Sequence, residues 1–115
     1  MDCIFCKIAE GQIPSQKVYE DDKVVAFRDI HPQAPVHLLV IPRKHIVSLN
    51  EASAEDAELI GHAMLTASHV AREAGLGERG YRVLTNIGPD AGQTVFHLHL
   101  HVLGGEVLGD LNAKK

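Results

Sequence analysis

The sequence lacks the features of several large protein classes. Its 115 residues contain no tryptophan and two cysteines, and two cysteines are too few for a scaffold held by disulfides. No apolar run approaches the roughly 20 residues that a membrane-spanning helix needs. The chain begins Met1-Asp2-Cys3, with no basic stretch followed by an apolar one. We therefore expect no signal peptide, no membrane association and a cytoplasmic location.

The chain has little net charge and no internal repeat. The formal net charge is −4, which argues against a nucleic-acid partner. Charged residues make up 23% of the chain and the mean hydropathy is −0.02, values that exclude both a disordered chain and a membrane protein. The sequence has no internal repeat, and two halves of this length would each be too small to bury a core. We therefore predict one domain, residues 1–115.

The apolar pattern predicts an α+β fold. A long amphipathic helix, capped by Ser53 and ended by Gly75, lies between groups of short strands. Strands that precede and follow one helix are typical of an antiparallel sheet with that helix on one face. The predicted elements are a short helix at 3–10, the long helix, and strands at 17–20, 24–27, 37–41, 81–86 and 96–103.

Histidine is the residue type in excess, with eight copies, three of them within five positions. Side chains alternate between the faces of a strand, so His97, His99 and His101 share one face about 6.6 Å apart. The apolar residues between them should pack under the helix. The histidine face should line a cleft, because three imidazoles make a poor core. On spacing alone the cleft suits a metal site, a catalytic or anion-binding site, or histidines bonded merely to their neighbours.

The pair Cys3-x-x-Cys6 also has several interpretations. It suits a redox pair, half of a zinc site, or two small buried side chains. A redox role expects a thioredoxin-like βαβ context, which the predicted elements lack.

The run His-Leu-His-Leu-His-Val-Leu at 97–103 resembles the defining motif of the histidine triad (HIT) superfamily, in which three histidines alternate with apolar residues. The resemblance covers nearly the whole chain. The following Gly104-Gly105 is similar to the Hint branch of that superfamily. Thr94 stands where Hint proteins often carry serine, and the tail lacks the tryptophan found in some members. Further matching segments are Cys3-Ile4-Phe5-Cys6-Lys7-Ile8, Ala26-Phe27-Arg28-Asp29-Ile30 and Val40-Ile41-Pro42-Arg43-Lys44-His45-Ile46.

This resemblance implies a HIT fold, with about five antiparallel strands, one long helix and a short N-terminal helix. It further implies that the sheet continues across a homodimer. The implied activity is hydrolysis of purine nucleoside phosphoramidates through a covalent nucleotidyl-histidine, with no catalytic cofactor. The alternatives are a dinucleoside-polyphosphate hydrolase and a non-catalytic nucleotide sensor or scaffold.

The resemblance also assigns residues. His99 matches the nucleophile, His101 and His37 match positions at the α-phosphate, and Thr94 matches a phosphate-binding or proton-passing residue. Without the resemblance, Phe5 and Phe27 would be interpreted as core. The implied nucleotide-binding residues are Phe5, Ile8, Phe27 and Ile30 for the base, Asp29 for the ribose, and Asn86, Gly92 and Gln93 for the phosphate. The implied structural zinc ligands are Cys3, Cys6, His45 and His97.

Overall fold

The computed structural model describes residues 3–112 and contains one antiparallel sheet with a helix on each face. The long helix α2 packs on one face and the six-residue helix α1 on the other. No helix in residues 3–112 has the length and hydropathy needed to cross a bilayer. The elements are α1 (Ile4–Ala9), β1 (Lys17–Glu20), β2 (Val24–Arg28), β3 (Val36–Pro42), α2 (Ala57–Glu73), β4 (Tyr81–Leu84) and β5 (Leu100–Gly104).

The strand order is β1-β2-β3-β5-β4, and every neighbouring pair is antiparallel. The predicted α+β class, with five antiparallel strands, one long helix and a short N-terminal helix, is confirmed. Strand β5 inserts between β3 and β4, so the histidine motif enters the sheet centre although it comes last in the chain. Strand β4 lies at one edge.

Alternation in the central strands divides the core into two clusters. Leu100 and Val102 face α2, as predicted. Phe27 and Leu39 point to the opposite face and pack against Phe5 of α1. Because His101 is paired with Leu39 in the sheet register, its side chain shares the α1 face. The sheet therefore presents the histidines toward α1.

The predicted last strand begins too early, since β5 starts at Leu100 rather than at residue 96. Upstream of it, the Leu98 N–H donates to the carbonyl of Ile46 at 2.6 Å, outside the ladder with β3. The His97 ring donates a hydrogen bond from Nε2 to the carbonyl oxygen of Pro42, at 2.8 Å. Side-chain and loop hydrogen bonds thus replace strand pairing over residues 97–99, while the three histidines keep their alternation.

Other element ends also differ from the sequence-based expectation. Strand β4 ends at Leu84, two residues early, and α1 spans Ile4–Ala9 with Cys3 as its N-cap. Ser53 does form a capping box, its N–H donating to Asp56 Oδ2 at 3.0 Å. That box closes a turn of 3₁₀ helix, so the α-helix itself begins at Ala57.

Candidate active site and metal centre

His99 presents a free lone pair at the bottom of a cleft. Its Nδ1 lies 2.7 Å from the carbonyl oxygen of His97. A carbonyl only accepts, so Nδ1 carries the proton and Nε2 of the neutral ring keeps its lone pair. Burial lowers the pKa of His99, which keeps that nitrogen unprotonated at neutral pH.

His37 and His101 form a hydrogen-bonded pair whose proton positions follow from a backbone group. The Gln33 N–H donates to His37 Nδ1 at 3.0 Å, so the neutral His37 ring carries its proton on Nε2. That Nε2 lies 2.9 Å from His101 Nδ1 and donates to it. The remaining nitrogen of neutral His101, Nε2, must then carry a proton. His101 therefore offers the cleft a donor, whereas His99 offers an acceptor.

Asp29 supplies the negative charge beside this pair. Its Oδ2 lies 3.4 Å from His37 Nε2, and its Oδ1 accepts the His31 N–H at 2.8 Å. Asp29, His37 and His101 are close enough to hold a metal ion. Ligation through both facing nitrogens would, however, require His37 to lose its Nε2 proton while the Gln33 N–H still occupies Nδ1. The arrangement suits a fixed hydrogen-bond chain better than a cation.

Burial is the main influence on the pKa values of both rings. It lowers the pKa of His37, with Asp29 opposing the shift. It lowers the pKa of His101 to about 4, with smaller contributions from His99 and His37. Both rings are therefore neutral at pH 7.

This pair should make the fold sensitive to acid. The unfolded chain binds protons near the ordinary histidine pKa of 6.5, whereas folded His101 binds one near 4. Because the unfolded state binds more protons between these values, the free energy of unfolding should fall as pH drops from about 6.5 to about 4 and level off above about 7. Urea unfolding at a series of pH values measures this free energy.

Two variants test this prediction, one at the pair and one as a control. His101→Gln removes one titrating ring and should make the acid limb shallower, whatever its effect on absolute stability. His69→Gln changes an exposed histidine on α2, away from the cavity, and serves as the control. Equal slopes in all three proteins would contradict the assignment.

These rings line a cavity of about 460 Å³ between α1 and the sheet. One wall is apolar and aromatic, with the Phe5 and Phe27 rings edge-on at 5.6 Å between centroids. Both phenylalanines are buried core residues and cavity walls at once. The site residues predicted from sequence that line this cavity are Phe5, Ile8, Phe27, Asp29, Ile30, His37, Thr94, His99 and His101.

The loop that precedes the triad differs from the expectation. Gly92, Gln93 and Asn86 are not among the residues that line the cavity. The N–H groups of Gly92 and Gln93, expected to hold phosphate, donate instead within the loop to the carbonyls of Pro89 and Gly88.

The buried Gln93 amide anchors this loop. Its Nε2 donates to the carbonyls of Val47 and Val95, and its Oε1 accepts the Gly88 N–H. Gln93 thereby sets the position of the neighbouring Thr94, whose side chain is exposed on the cavity wall.

Sequence reasoning missed part of the cavity lining. The stretch Ile13-Pro14-Ser15, which follows α1, forms one side of the cavity. Gln33 lines it too, and His31, which had no predicted role, stands at its wall. A turn sequence carries no periodic signal, although the apolar Ile13 beside Pro14 could have indicated a buried wall.

The four predicted metal ligands, two buried and two half-buried, converge at the N-terminal end of α1. His45 Nδ1 lies 3.2 Å from His97 Nδ1, and Cys3 Sγ lies 3.3 Å from the same atom. Cys6 Sγ lies 3.4 Å from His45 Nδ1 and 3.5 Å from His97 Nδ1. A tetrahedral zinc with ordinary bond lengths requires about 3.3 Å between nitrogens and about 3.6 Å between nitrogen and sulfur. The donor set fits zinc.

Hydrogen bonding around the cluster supports this fit. His97 Nε2 donates to the Pro42 carbonyl, which leaves Nδ1 with its lone pair toward the sulfurs. Burial, and to a smaller extent the hydrogen bond with Cys3, raises the pKa of the Cys6 thiol to about 11. A divalent cation would favour the thiolate, because thiolates are the form that ligates metal.

Comparison with known proteins agrees with this geometry. The family model described as HIT domain matches residues 10–108. The chain belongs to the HIT family. A histidine triad protein from Clostridium difficile superposes on this HIT chain with a TM-score of 0.93 and 48% identity, covering 97% of each chain. A HIT family hydrolase from Legionella pneumophila Philadelphia 1 gives 0.92 and 48%, covering 94% of this chain and 96% of that one.

Curated relatives agree with the family assignment. A HIT-like protein from Synechococcus elongatus is 55% identical over 107 residues, which are 93% of each chain. A purine nucleoside phosphoramidase from Escherichia coli K12 is 46% identical over 114 residues, which are 99% of this HIT chain and 96% of the relative. These matches support assigning the chain to a family of hydrolases.

Proposed function

We propose that this HIT protein hydrolyses purine nucleoside phosphoramidates, cleaving the bond between phosphorus and an amine. The observation that carries the proposal is the pattern of lone pairs in the cavity. Of His37, His99 and His101, His99 alone keeps an unbonded lone pair in the neutral state. A single nucleophilic nitrogen beside a fixed N–H donor suits attack at a phosphate. The 46%-identical phosphoramidase adds the substrate class.

In the first step His99 Nε2 attacks the α-phosphorus, and a bond from nitrogen to phosphorus forms as the bond to the amine breaks. The Nε2–H of His101 donates to a phosphate oxygen and stabilises its charge. An amine leaves poorly unless it gains a proton. The exposed Thr94 hydroxyl gives its proton to the departing amine and takes one from solvent.

In the second step water attacks the nucleotidyl-histidine. A water proton passes to solvent through Thr94, the new oxygen–phosphorus bond forms, and His99 leaves with its lone pair restored. The products are the nucleoside monophosphate and the amine. Because the His97 carbonyl holds the Nδ1 proton throughout, His99 returns to the same tautomer for the next turnover.

The nucleoside would occupy the apolar end of the cavity. Phe5, Ile8 and Phe27 offer ring and aliphatic faces for the base, and exposed Ile30 extends this wall. Asp29 would accept from the ribose hydroxyls while it supports His37. The match to the HIT family also proposes Asn86, Gly92 and Gln93 as phosphate-binding residues. Since they do not line the cavity, this role would require their loop to rearrange around bound nucleotide.

Turnover of two compounds, together with binding of AMP, tests this proposal. The expected result is rapid release of AMP from adenosine 5′-phosphoramidate and slow cleavage of diadenosine polyphosphate. A faster reaction with the polyphosphate would favour a dinucleoside-polyphosphate hydrolase. Binding of AMP without turnover of either substrate would favour a nucleotide sensor or scaffold.

We also propose that zinc at Cys3, Cys6, His45 and His97 is structural. Two thiolates and two imidazoles complete a tetrahedral set with no open position for substrate. The zinc would tie α1 to the loop before β5, and His99, two residues away, would stay free to react.

A homodimer is the proposed assembly. Strand β4 is an open edge, and such edges invite pairing with another chain. Beside it, an apolar groove of about 250 Å³ runs along α2 and includes half-exposed Met64. A second copy of this chain would bury both features at once.

Light scattering checks the dimer. The expected mass is about twice the 12.5 kDa of one chain. Met64→Glu places a charge in the groove and should give monomers at micromolar concentration, because an unpaired charge is costly to bury. Val107→Glu adds the same charge at an exposed apolar residue outside the groove and should leave the dimer intact. A monomeric wild type would refute the assembly.

A further inference from the structure

The half-buried Arg43, which directly follows β3, links helix α1 to the β1–β2 hairpin. Its guanidinium donates from all three nitrogens. Nη1 bonds the carbonyl of Ala9 at 2.5 Å, Nε bonds the carbonyl of Asp21 at 2.7 Å, and Nη2 bonds the Glu20 carboxylate at 2.9 Å. Ala9 is the last residue of α1, whereas Glu20 ends β1 and Asp21 begins the turn to β2.

The bond to Ala9 satisfies a carbonyl that the end of the helix leaves over. The carbonyls of Cys6, Lys7 and Ile8 accept the backbone N–H groups of residues 10–12. Within residues 3–112, no backbone N–H donates to the Ala9 carbonyl. Carbonyls at a helix C-terminus lack intrahelical partners, and a nearby cation interacts favourably with them. Arg43 supplies both the donor and the positive charge.

Helix α1 needs such an anchor because it is short and packs through apolar contacts. Six residues are too few for a stable isolated helix. Phe5 and Ile8 pack on the sheet, but hydrophobic contacts are non-directional and do not fix where the helix lies on that surface. The proposed zinc would fix the N-terminal end through Cys3 and Cys6. Arg43 fixes the C-terminal end without a metal.

The same arginine holds the strand that forms the opposite wall of the base slot, the apolar end of the cavity between α1 and β2. Phe27 lies on β2, which follows Asp21 in the hairpin, and its ring meets that of Phe5 at 5.6 Å between centroids. Phe5 and Ile8 on α1 therefore face a wall that Arg43 also bonds, through the hairpin.

We propose that Arg43 is a positioning residue for the nucleobase, which sets the spacing between these two walls. This inference rests on the proposed nucleotide substrate. Arg43 is not among the residues that line the cavity, so it acts through α1 and the hairpin rather than by touching the ligand.

Binding of two ligands to Arg43→Met tests this role. Methionine keeps an unbranched apolar side chain and removes all three donors. Affinity for AMP, measured by calorimetry, should fall about tenfold, the scale of one lost hydrogen bond to a charged group. Affinity for ribose 5-phosphate, which has no base, should match that of the wild type. A residue that stabilised the fold alone would change both affinities together or neither.

Two further variants complete the test. Arg43→Lys keeps the charge, but one ammonium group cannot span the acceptors that the planar guanidinium reaches, so it should recover only part of the AMP affinity. If Arg43→Met does not fold, Arg43→Lys carries the test through a smaller loss that is again confined to AMP. Arg72→Met is the matched control, since exposed Arg72 on α2 donates to the Ser68 hydroxyl at 2.6 Å, away from the cavity. It should bind both ligands as the wild type does.

The contrary outcomes separate the two proposals. Failure of the wild type to bind AMP would refute the proposed function, and the role of Arg43 with it. Unchanged AMP affinity in Arg43→Met, or equal losses for AMP and ribose 5-phosphate, would overturn the role of Arg43 alone. Full recovery by Arg43→Lys would overturn it too, because charge without the three bonds would then suffice. Less zinc in Arg43→Met than in the wild type would attribute the loss to the metal and equally overturn it.

Discussion

His99→Ala should lower turnover of adenosine 5′-phosphoramidate by several orders of magnitude while AMP binding stays measurable. His99 holds the unbonded lone pair that attacks phosphorus, and the paired nitrogens of His37 and His101 have no lone pair free to replace it. The base slot does not depend on the His99 ring for its shape, apart from the edge contact with Phe5 at 5.0 Å. The measurements are steady-state kinetics and AMP calorimetry.

The covalent intermediate gives this prediction a second readout. Rapid acid quenching of the wild type during turnover, followed by intact-mass analysis, should detect a nucleotidyl adduct that His99→Ala lacks. His69→Ala, at an exposed position on α2, serves as the control and should keep both turnover and adduct. Turnover by His99→Ala above about a tenth of the wild-type rate would rule out a covalent His99 mechanism.

The histidine face was predictable because strand alternation is a local rule. The spacing of His97, His99 and His101 alone placed them together, and the structure keeps that alternation even where residues 97–99 leave the ladder. Local rules could not decide whether these histidines bind a metal, catalyse a reaction or merely pack. One histidine, His97, faces the sulfurs and the other two face the cavity, a division that depends on contacts with distant segments.

Several features that sequence reasoning missed depend on backbone groups. The Gln33 N–H sets the tautomer of His37, and every residue except proline carries an N–H, so no residue type marks it. The early end of the β5 ladder depends on a ring nitrogen reaching the Pro42 carbonyl. The side chain of Gln93 likewise anchors its loop rather than contacting the cavity. The contacts of His97 with Pro42 and of Gln93 with Val47 join residues far apart in the chain.

Removing zinc should lower thermal stability and nucleotide affinity more than it slows the chemical step. Helix α1 has six residues, which is too short to be stable by itself. The metal would fix this helix to His45 and His97, and so hold Phe5 against the base slot. His99 donates to a backbone carbonyl that the metal does not use, so its lone pair should survive the loss.

Elemental analysis of untagged protein should find about one zinc per chain, the stoichiometry of a single Cys₂His₂ site. Cys6→Ser should lose the metal, melt at a lower temperature and raise KM, with the single-turnover rate at saturating substrate nearly retained. Phe5→Ala is the matched control: it should weaken nucleotide binding while zinc content stays at one per chain. Metal-free protein that is folded and fully active would make the two cysteines plain packing residues. Activity that vanishes on chelation while the fold survives would instead require a catalytic metal among the cavity histidines, which the proton on His37 Nε2 argues against.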